Sequence, residues 1–317
     1  MADVQKSAFS VSGKTAIVTG AGSGINLAFA SILLDRGCNV VFADLSLRPE
    51  AQKLVDENQD RALFVQTDVA SWAALKHMFS ATLDKFGDFD LVCPGAGVYE
   101  PLWSNFWHPP GSSESKDAID SDRYALIDIN LTHPIRTTQM AISYWLHPEK
   151  QAGSPKKVSV ENPKRIVHIS SVAGQMPNLN APIYGASKFA ITGFVRCLAG
   201  LDGLHGIKVN AVAPGLVQTP LWMEHPEKLQ FVNQGQDGWV TAEEVGKAML
   251  RCAEDGTVPG GAILEVGKNH TRLVSVVNDL GPNVNPEGGM LAGYAEAKGR
   301  TEISAWLDDE AIWSSRG

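Results

Sequence analysis

The feature that most constrains the fold is a glycine-rich turn between a short apolar strand and a helix near the N-terminus. Residues 14–19 are mostly small or β-branched, which predicts a buried strand, and the turn follows at residues 20–26. A helix is predicted over about residues 27–36, and a second apolar strand over residues 39–43 ends at Asp44. Glycines let a backbone approach a pyrophosphate, and a helix N-terminus attracts its charge. An acid about twenty residues later accepts hydrogen bonds from ribose hydroxyls, so this order predicts a nucleotide-binding unit.

Apolar strands alternate with helices along most of the chain. Such alternation predicts an α/β fold, a doubly wound parallel sheet of the Rossmann type. Asp68, Gly97, Ser171 and Pro214 each follow a predicted strand, so they are expected to meet at one edge of the sheet, where ligands bind. Strands are predicted near residues 15–19, 39–43, 62–66, 89–93, 165–170, 207–212 and 262–266.

A second constraint is chemical. Tyr184 and Lys188 stand four residues apart, about one helical turn, so on a helix phenol and ammonium would share a face. A free phenol with a pKa of about 10 is a poor base at neutral pH, and a nearby cation favours its phenolate. The pair suits a tyrosine that exchanges a proton during catalysis, and Ser171 precedes it by thirteen residues. The alternative is an exposed Tyr/Lys pair on a helix surface.

Ordered motifs extend this pattern. Residues 19–26 follow T-G-x-x-x-G-x-G, with Asn26 in place of the last glycine. The turn 94–97 keeps only the Ala-Gly half of N-N-A-G, and 214–219 follows P-G-x-V-x-T. On these motifs, about residues 12–267 resemble the short-chain dehydrogenases/reductases. Within that family, residues 171–194 are most similar to NAD-linked hydroxyprostaglandin dehydrogenases and fungal enzymes of secondary metabolism.

The resemblance implies a catalytic set of Asn130, Ser171, Tyr184 and Lys188. Tyr184 would be the general acid or base, Lys188 would lower its pKa and bind the nicotinamide ribose, and Ser171 would position the substrate oxygen. Asn130 would shape a helix and a water-linked proton path. The implied cofactor-binding residues are Gly20, Gly22, Ser23, Gly24, Ile25, Asp44, Asp68, Val69, Gly95, Ala96, Gly97, Tyr184, Lys188, Pro214, Gly215, Val217 and Thr219.

The acid that ends the second strand predicts which cofactor is bound. Asp44 would repel a 2′-phosphate and accept from a free ribose hydroxyl. Neither Ser23 nor Leu45, where the family places a cation for that phosphate, is basic, and Arg48 is the one nearby cation. NAD is therefore predicted over NADP. Asn26 is expected to leave cofactor binding intact because Asn tolerates unusual backbone angles.

The predicted substrate pocket is apolar and aromatic with a few amides. It suits a bulky hydrophobic secondary alcohol or ketone, which the enzyme would interconvert. A non-redox epimerase, dehydratase or cyclase, or a nucleotide sensor without turnover, are the alternatives. The pocket residues are predicted from the segments after Gly97, Ser171 and Gly215 as Tyr99, Trp103, Gln175, Met176, Asn180, Leu221, Trp222 and Met223.

Residues 1–267 are predicted to form one dinucleotide-binding and catalytic domain. Residues 268–317 form a C-terminal extension beyond the usual family end. Apolar residues follow the last strand, and a helix is predicted near 301–313 with Trp306, Ile312 and Trp313. We therefore expect the extension to pack on the body or a neighbouring subunit and to border the cleft.

Composition excludes several other functions. The net charge of −8, without a basic stripe, argues against nucleic-acid binding, and the eight histidines and four cysteines show no metal-ligand spacing. No apolar run is long enough to cross a bilayer, so no membrane association and a cytoplasmic location are expected. The resemblance also implies that helices near 122–146 and 184–201 pair between subunits, giving a homodimer or homotetramer.

Overall fold

The computed structural model describes residues 9–148, 156–224, 238–276, 305 and 307–309. Its centre is an eight-stranded sheet with the strand order β10-β9-β6-β5-β4-β1-β2-β3. The pairs are parallel except the edge pair β9–β10. The strands of this sheet are β1 (Thr15–Thr19), β2 (Asn39–Asp44), β3 (Ala62–Gln66), β4 (Leu91–Cys93), β5 (Lys164–Ile169), β6 (Ile207–Pro214), β9 (Ile263–Gly267) and β10 (His270–Leu273). The remaining strands, β7 (Val217–Gln218) and β8 (Val240–Thr241), form a separate parallel pair.

Helices cover both faces of the sheet, which confirms the predicted doubly wound α/β fold. Successive residues of a strand point to opposite faces, so Ala16 and Val18 join one apolar core and Ile17 the other. The helices are α1 (Gly24–Asp35), α2 (Pro49–Glu57), α3 (Trp72–Phe86), α4 (Ala125–Ile127), α5 (His133–Leu146), α6 (Pro182–Cys197), α7 (Leu201–His205), α8 (Pro220–Met223) and α9 (Ala242–Glu254). The first core contains α1 and α9, and the second contains α3, α5 and α6.

The helix predicted over 122–146 is interrupted. Between α4 and α5 the backbone makes one wide π turn, Asp128–Thr132, in which the His133 amide donates to the Asp128 carbonyl. Pro134, which follows, has no amide to donate and cannot continue a regular ladder of hydrogen bonds. Such turns occur frequently at functional sites. Here the π turn contains Asn130, which is buried.

The sheet continues past Gly267, where the sequence placed the end of the domain. Asn269 adopts a left-handed conformation with φ 54°, and the chain returns as β10 antiparallel to β9. The predicted boundary therefore falls inside a β-hairpin. The apolar run after Gly267 is only partly buried: Leu273 and Val276 are exposed, and Val274 packs against the core.

Part of the C-terminal extension contacts the body. Leu307 is buried in the second core, and its carbonyl oxygen accepts a hydrogen bond from His147 Nε2 at 2.7 Å. Asp308 lies 3.5 Å from Lys157 Nζ. His147 ends α5, which leads back to the amino end of β5, so these contacts lie at the sheet edge opposite the carboxyl ends. Trp306, Ile312 and Trp313 lie outside the described residues.

Within the described ranges, no helix combines the length and the apolar character that a membrane-spanning segment requires.

Candidate active site

A cleft of about 430 Å³ opens at the carboxyl ends of the parallel strands. Every residue predicted to bind the cofactor lines it except Gly22, so the structure brings together residues that lie up to two hundred positions apart in sequence. The predicted residues that line the cleft are Gly20, Ser23, Gly24, Ile25, Asp44, Asp68, Val69, Gly95, Ala96, Gly97, Ser171, Tyr184, Lys188, Pro214, Gly215, Val217, Thr219, Leu221 and Trp222.

The glycine turn forms one wall of the cleft. Gly20 and Gly24 have φ of 73° and 59°, which side chains rarely adopt. Helix α1 begins at Gly24, and the Ser23 side chain does not cap it, so its first amide groups receive no side-chain acceptor. A helix N-terminus in this state, placed in a glycine-lined cleft, is suited to binding a phosphate.

Asp44 fixes the turn and also faces the cleft. Its carboxylate accepts hydrogen bonds from the Gly22 amide at 2.8 Å and the Leu45 amide at 2.7 Å. A Cβ atom at position 22 would lie 2.8 Å from Asp44 Oδ2, so only glycine permits this approach. The second strand therefore presents a carboxylate where a ribose hydroxyl could donate to it.

Asn26 occupies a space that Gly95 leaves open. Its side chain is 8% exposed, and Cys93 Sγ donates to its Oδ1 at 3.8 Å. A Cβ atom at position 95 would lie 2.8 Å from Asn26 Cγ, and one at Gly20 would lie 2.9 Å from Asn26 Nδ2. The two departures from the family pattern are therefore complementary, because the side chain absent at 95 makes room for the one present at 26.

Helix α6 carries Tyr184 and Lys188 into the cleft one turn apart, as predicted. Lys188 Nζ donates to the Ile169 carbonyl at 2.9 Å and lies 5.4 Å from the centre of the Tyr184 ring. Burial lowers the pKa of Lys188 to about 8. Burial also raises the pKa of Tyr184 to about 12, and a hydrogen bond with Ser171 opposes that rise. Desolvation of the phenol is therefore the largest influence on the pKa of Tyr184.

Ser171 lies between the ends of two strands. It follows β5 and caps a short 3₁₀ turn, Val172–Gly174, by accepting from the Ala173 amide at 3.2 Å. Its hydroxyl also donates to the Pro214 carbonyl at 3.4 Å, at the end of β6. Its hydroxyl is thus held at the carboxyl edge, close enough to Tyr184 to hydrogen-bond its phenol.

Asn130 does not line the cleft. Its amide binds both backbone groups of Val98, donating to the carbonyl at 2.8 Å and accepting from the amide at 2.9 Å. Its Nδ2 also donates to Ser187 Oγ at 3.4 Å. Asn130 therefore links the loop after β4 to helix α6 by hydrogen bonds.

The predicted substrate residues are only partly brought together. Trp222 and Leu221 line the cleft. Tyr99 lies behind them, with its ring centre 4.8 Å from those of Tyr184 and Trp222. The predicted substrate residues that do not line the cleft are Tyr99, Trp103, Gln175, Met176, Asn180 and Met223, and Met176 and Met223 are more than half exposed.

Sequence reasoning missed Glu100, which supports the catalytic helix. Glu100 is 5% exposed and has φ 28°, and its Oε2 accepts from the Tyr184 amide at 2.8 Å. Its Oε1 accepts from the Phe106 amide at 3.0 Å, and burial raises its pKa. A signal was available: α6 begins with Pro182 after Ala181, which has no capping side chain, so its free amides require a distant acceptor.

A doubly wound sheet with its cleft at the carboxyl ends of the strands defines a protein of the Rossmann class. A family model described as short chain dehydrogenase matches residues 14–230, and the chain belongs to this family of oxidoreductases. It is 33% identical to a Mus musculus 15-hydroxyprostaglandin dehydrogenase (NAD(+)) over 248 residues, 76% of this chain and 79% of that protein.

Fungal and bacterial proteins are also similar. The short chain dehydrogenase/reductase astE of Aspergillus oryzae is 30% identical over 257 residues, 78% of this chain and 90% of that protein. The structure resembles that of a 3-ketoacyl-(acyl-carrier-protein) reductase from Brucella melitensis complexed with NADH, with a TM-score of 0.64 and 22% identity. That similarity covers 81% of this chain and 98% of the reductase, and it supports the fold.

Proposed function

We propose that the protein is an NAD-dependent dehydrogenase that interconverts a secondary alcohol and a ketone on a bulky, mostly hydrophobic small molecule. The observation that carries this proposal is the convergence of Ser171, Tyr184 and Lys188 in one cleft beside the ring of Trp222. NAD, when bound, supplies the two-electron redox chemistry, and the protein supplies the proton transfer and the orientation.

The residues of the cleft fit a dinucleotide. The N-terminus of α1, uncapped by a side chain, and the glycine turn would hold the pyrophosphate, and Asp44 would accept from the adenosine ribose. Lys188 would bind the nicotinamide ribose, and Val217 and Thr219 would hold the carboxamide. The relative from Mus musculus carries NAD(+) in its name, which favours the same cofactor here.

Tyr184 would exchange the proton with the substrate oxygen. Its raised pKa keeps the phenol protonated at neutral pH, so it is ready to donate to a ketone oxygen. In oxidation the phenolate of Tyr184 would accept the alcohol proton, and NAD, when bound, would supply the hydride acceptor. We expect oxidation to be faster at alkaline pH, because its base is the phenolate of Tyr184, and Ser171 would hold the reacting oxygen by a hydrogen bond.

Aromatic rings favour a hydrophobic substrate. Tyr184, Trp222 and Leu221 line the cleft, and the ring of Tyr99 packs against the rings of Tyr184 and Trp222. Burying apolar substrate surface against such walls contributes about 25 cal/mol per Å². A compact, highly anionic substrate would find no complementary charge beyond Lys188 and Arg48 among the described lining residues.

The test is cofactor absorbance during turnover of a panel of secondary alcohols and ketones. Tyr184→Phe keeps the ring and removes the acid, so the rate should fall by at least roughly a hundredfold while NAD still binds. Tyr124→Phe, at a tyrosine that does not line the cleft, is the matched control and should retain activity. Near-normal rates in Tyr184→Phe would refute the mechanism, and turnover without absorbance change would favour a non-redox enzyme.

A further inference from the structure

Two oppositely charged side chains meet across the adenosine end of the cleft. Arg48 precedes α2, and Glu224 follows α8, so they come from segments 176 positions apart. Both Glu224 oxygens accept from the guanidinium at 2.6 Å, a bidentate pair. Both residues line the cleft.

The position of Arg48 indicates a role in cofactor binding rather than in stabilising the fold. Its amide donates to the Gly22 carbonyl at 3.3 Å, which fixes it beside the glycine turn and four residues after Asp44. A pair as exposed as this one contributes little to folding. Of the described residues that line the cleft, Arg48 and Lys188 are the cations, and Lys188 belongs to the catalytic helix.

A free guanidinium at this position is what a 2′-phosphate requires, because arginine binds phosphate with paired hydrogen bonds. The carboxylate of Glu224 already accepts hydrogen bonds from both terminal nitrogens of Arg48, Nη1 and Nη2. We propose that Glu224 is a specificity-determining residue that withholds Arg48 from a 2′-phosphate and so disfavours NADP. The inference rests on the proposed function. Two features would then disfavour NADP: the Asp44 carboxylate repels the 2′-phosphate, and Glu224 occupies the guanidinium that could bind it.

The experiment is calorimetric titration of the full-length protein with NAD and with NADP, which needs no substrate. Glu224→Gln keeps the side-chain shape and removes the charge, so NADP should bind roughly tenfold more tightly or better. NAD affinity should stay within about twofold, since its ribose carries no phosphate there. Adding Arg48→Gln to Glu224→Gln should return NADP affinity to the wild-type level or below, because the gain requires the guanidinium.

Glu265→Gln is the matched control. It removes an equally close carboxylate partner, that of Arg272 at the edge pair β9–β10, which does not line the cleft, and both affinities should stay unchanged. Unchanged NADP affinity in Glu224→Gln, with NAD bound normally, would overturn this inference alone. Weakened NADP binding in Arg48→Gln alone would also overturn it, since Arg48 would then already serve the phosphate. A wild-type protein that binds neither dinucleotide would overturn the proposed function itself.

Discussion

Adding a single methyl group at Gly95 should destabilise the protein, because Asn26 already fills that space. A Cβ atom at 95 would lie within 2.9 Å of both Asn26 Cγ and Nδ2, closer than real Cβ atoms approach. The amide has little room to retreat, because it lies beside Gly20 and its Oδ1 accepts from Cys93. Overpacking of this kind costs about 1–3 kcal/mol, so we expect Gly95→Ala to lower the free energy of unfolding by about 2 kcal/mol.

The assay is urea unfolding, supported by thermal melting. With an unfolding entropy of about 2.1 cal/mol/K per residue, 2 kcal/mol corresponds to a fall in Tm of about 3 °C for this chain. Asn26→Gly should itself cost about 1 kcal/mol through its lost buried contacts. In that background Gly95→Ala should become nearly neutral, so the double-mutant cycle should show a coupling of about 2 kcal/mol.

Gly193→Ala is the matched control, since it makes the same change on α6 where a Cβ atom meets nothing within 4 Å. It should be neutral or stabilise by up to about 1 kcal/mol, through the better helix propensity of alanine. If Gly95→Ala costs the same free energy in the wild-type protein and in the Asn26→Gly variant, the overlap with Asn26 is not the cause and the reasoning is refuted.

The structure supports four further predictions. Burial lowers the pKa of His133 to about 4, so as the pH falls from about 6.5 to 4 the unfolded chain takes up a proton at this residue and the folded protein does not. His133 should therefore remove about 1.4 kcal/mol of stability per pH unit, in addition to buried His168, whose pKa is also lowered. In urea unfolding, His133→Gln should reduce the slope by that amount, whereas exposed His270→Gln should leave it unchanged. Glu100→Gln leaves a buried backbone amide without its carboxylate acceptor, so stability should drop by about 1–3 kcal/mol and kcat should fall with NAD affinity unchanged; a KM effect alone would contradict this role. Ile135 and Phe189 are exposed apolar residues on α5 and α6, so light scattering at micromolar concentration should show a dimer or tetramer, and a monomer would refute the assembly. Deleting residues 277–317 removes buried Leu307 and should lower Tm, and an unchanged Tm would make the extension dispensable.

The sequence was sufficient to predict seven of the eight strands of the sheet, all but β10, and the residues at its carboxyl edge. Strands such as β1, β3 and β6 consist of short apolar, β-branched runs, and period and composition report directly on such elements. Because parallel strands end at one edge, the predicted order also placed Asp68, Gly97, Ser171 and Pro214 beside one cleft.

What the sequence could not supply are contacts between distant segments. Three contacts join segments that lie far apart in sequence, and no local sequence pattern predicts them. They are the fit of Asn26 against Gly95, the acceptor that Glu100 supplies to the first turn of α6, and the ion pair of Arg48 with Glu224. Most predicted substrate residues missed the cleft for the same reason: a loop side chain's direction depends on packing, which neither composition nor spacing encodes. The burial that raises the pKa of Tyr184 cannot be read from a four-residue spacing either.

The hydrogen bond from the Tyr184 amide to Glu100 limits which segments of this protein can be exchanged. Residues 100–121 form a long connection that could be replaced, in evolution or by design, to change substrate preference. Yet Glu100, its first residue, accepts a hydrogen bond from the Tyr184 amide, and Trp107 within it donates to the Leu179 carbonyl at 3.0 Å. A transplanted loop that lacks an equivalent carboxylate would remove the acceptor of the Tyr184 amide and so disturb the proposed proton donor together with the pocket. Loop grafts should therefore begin after Glu100, and successful chimaeras should retain an acid at that junction.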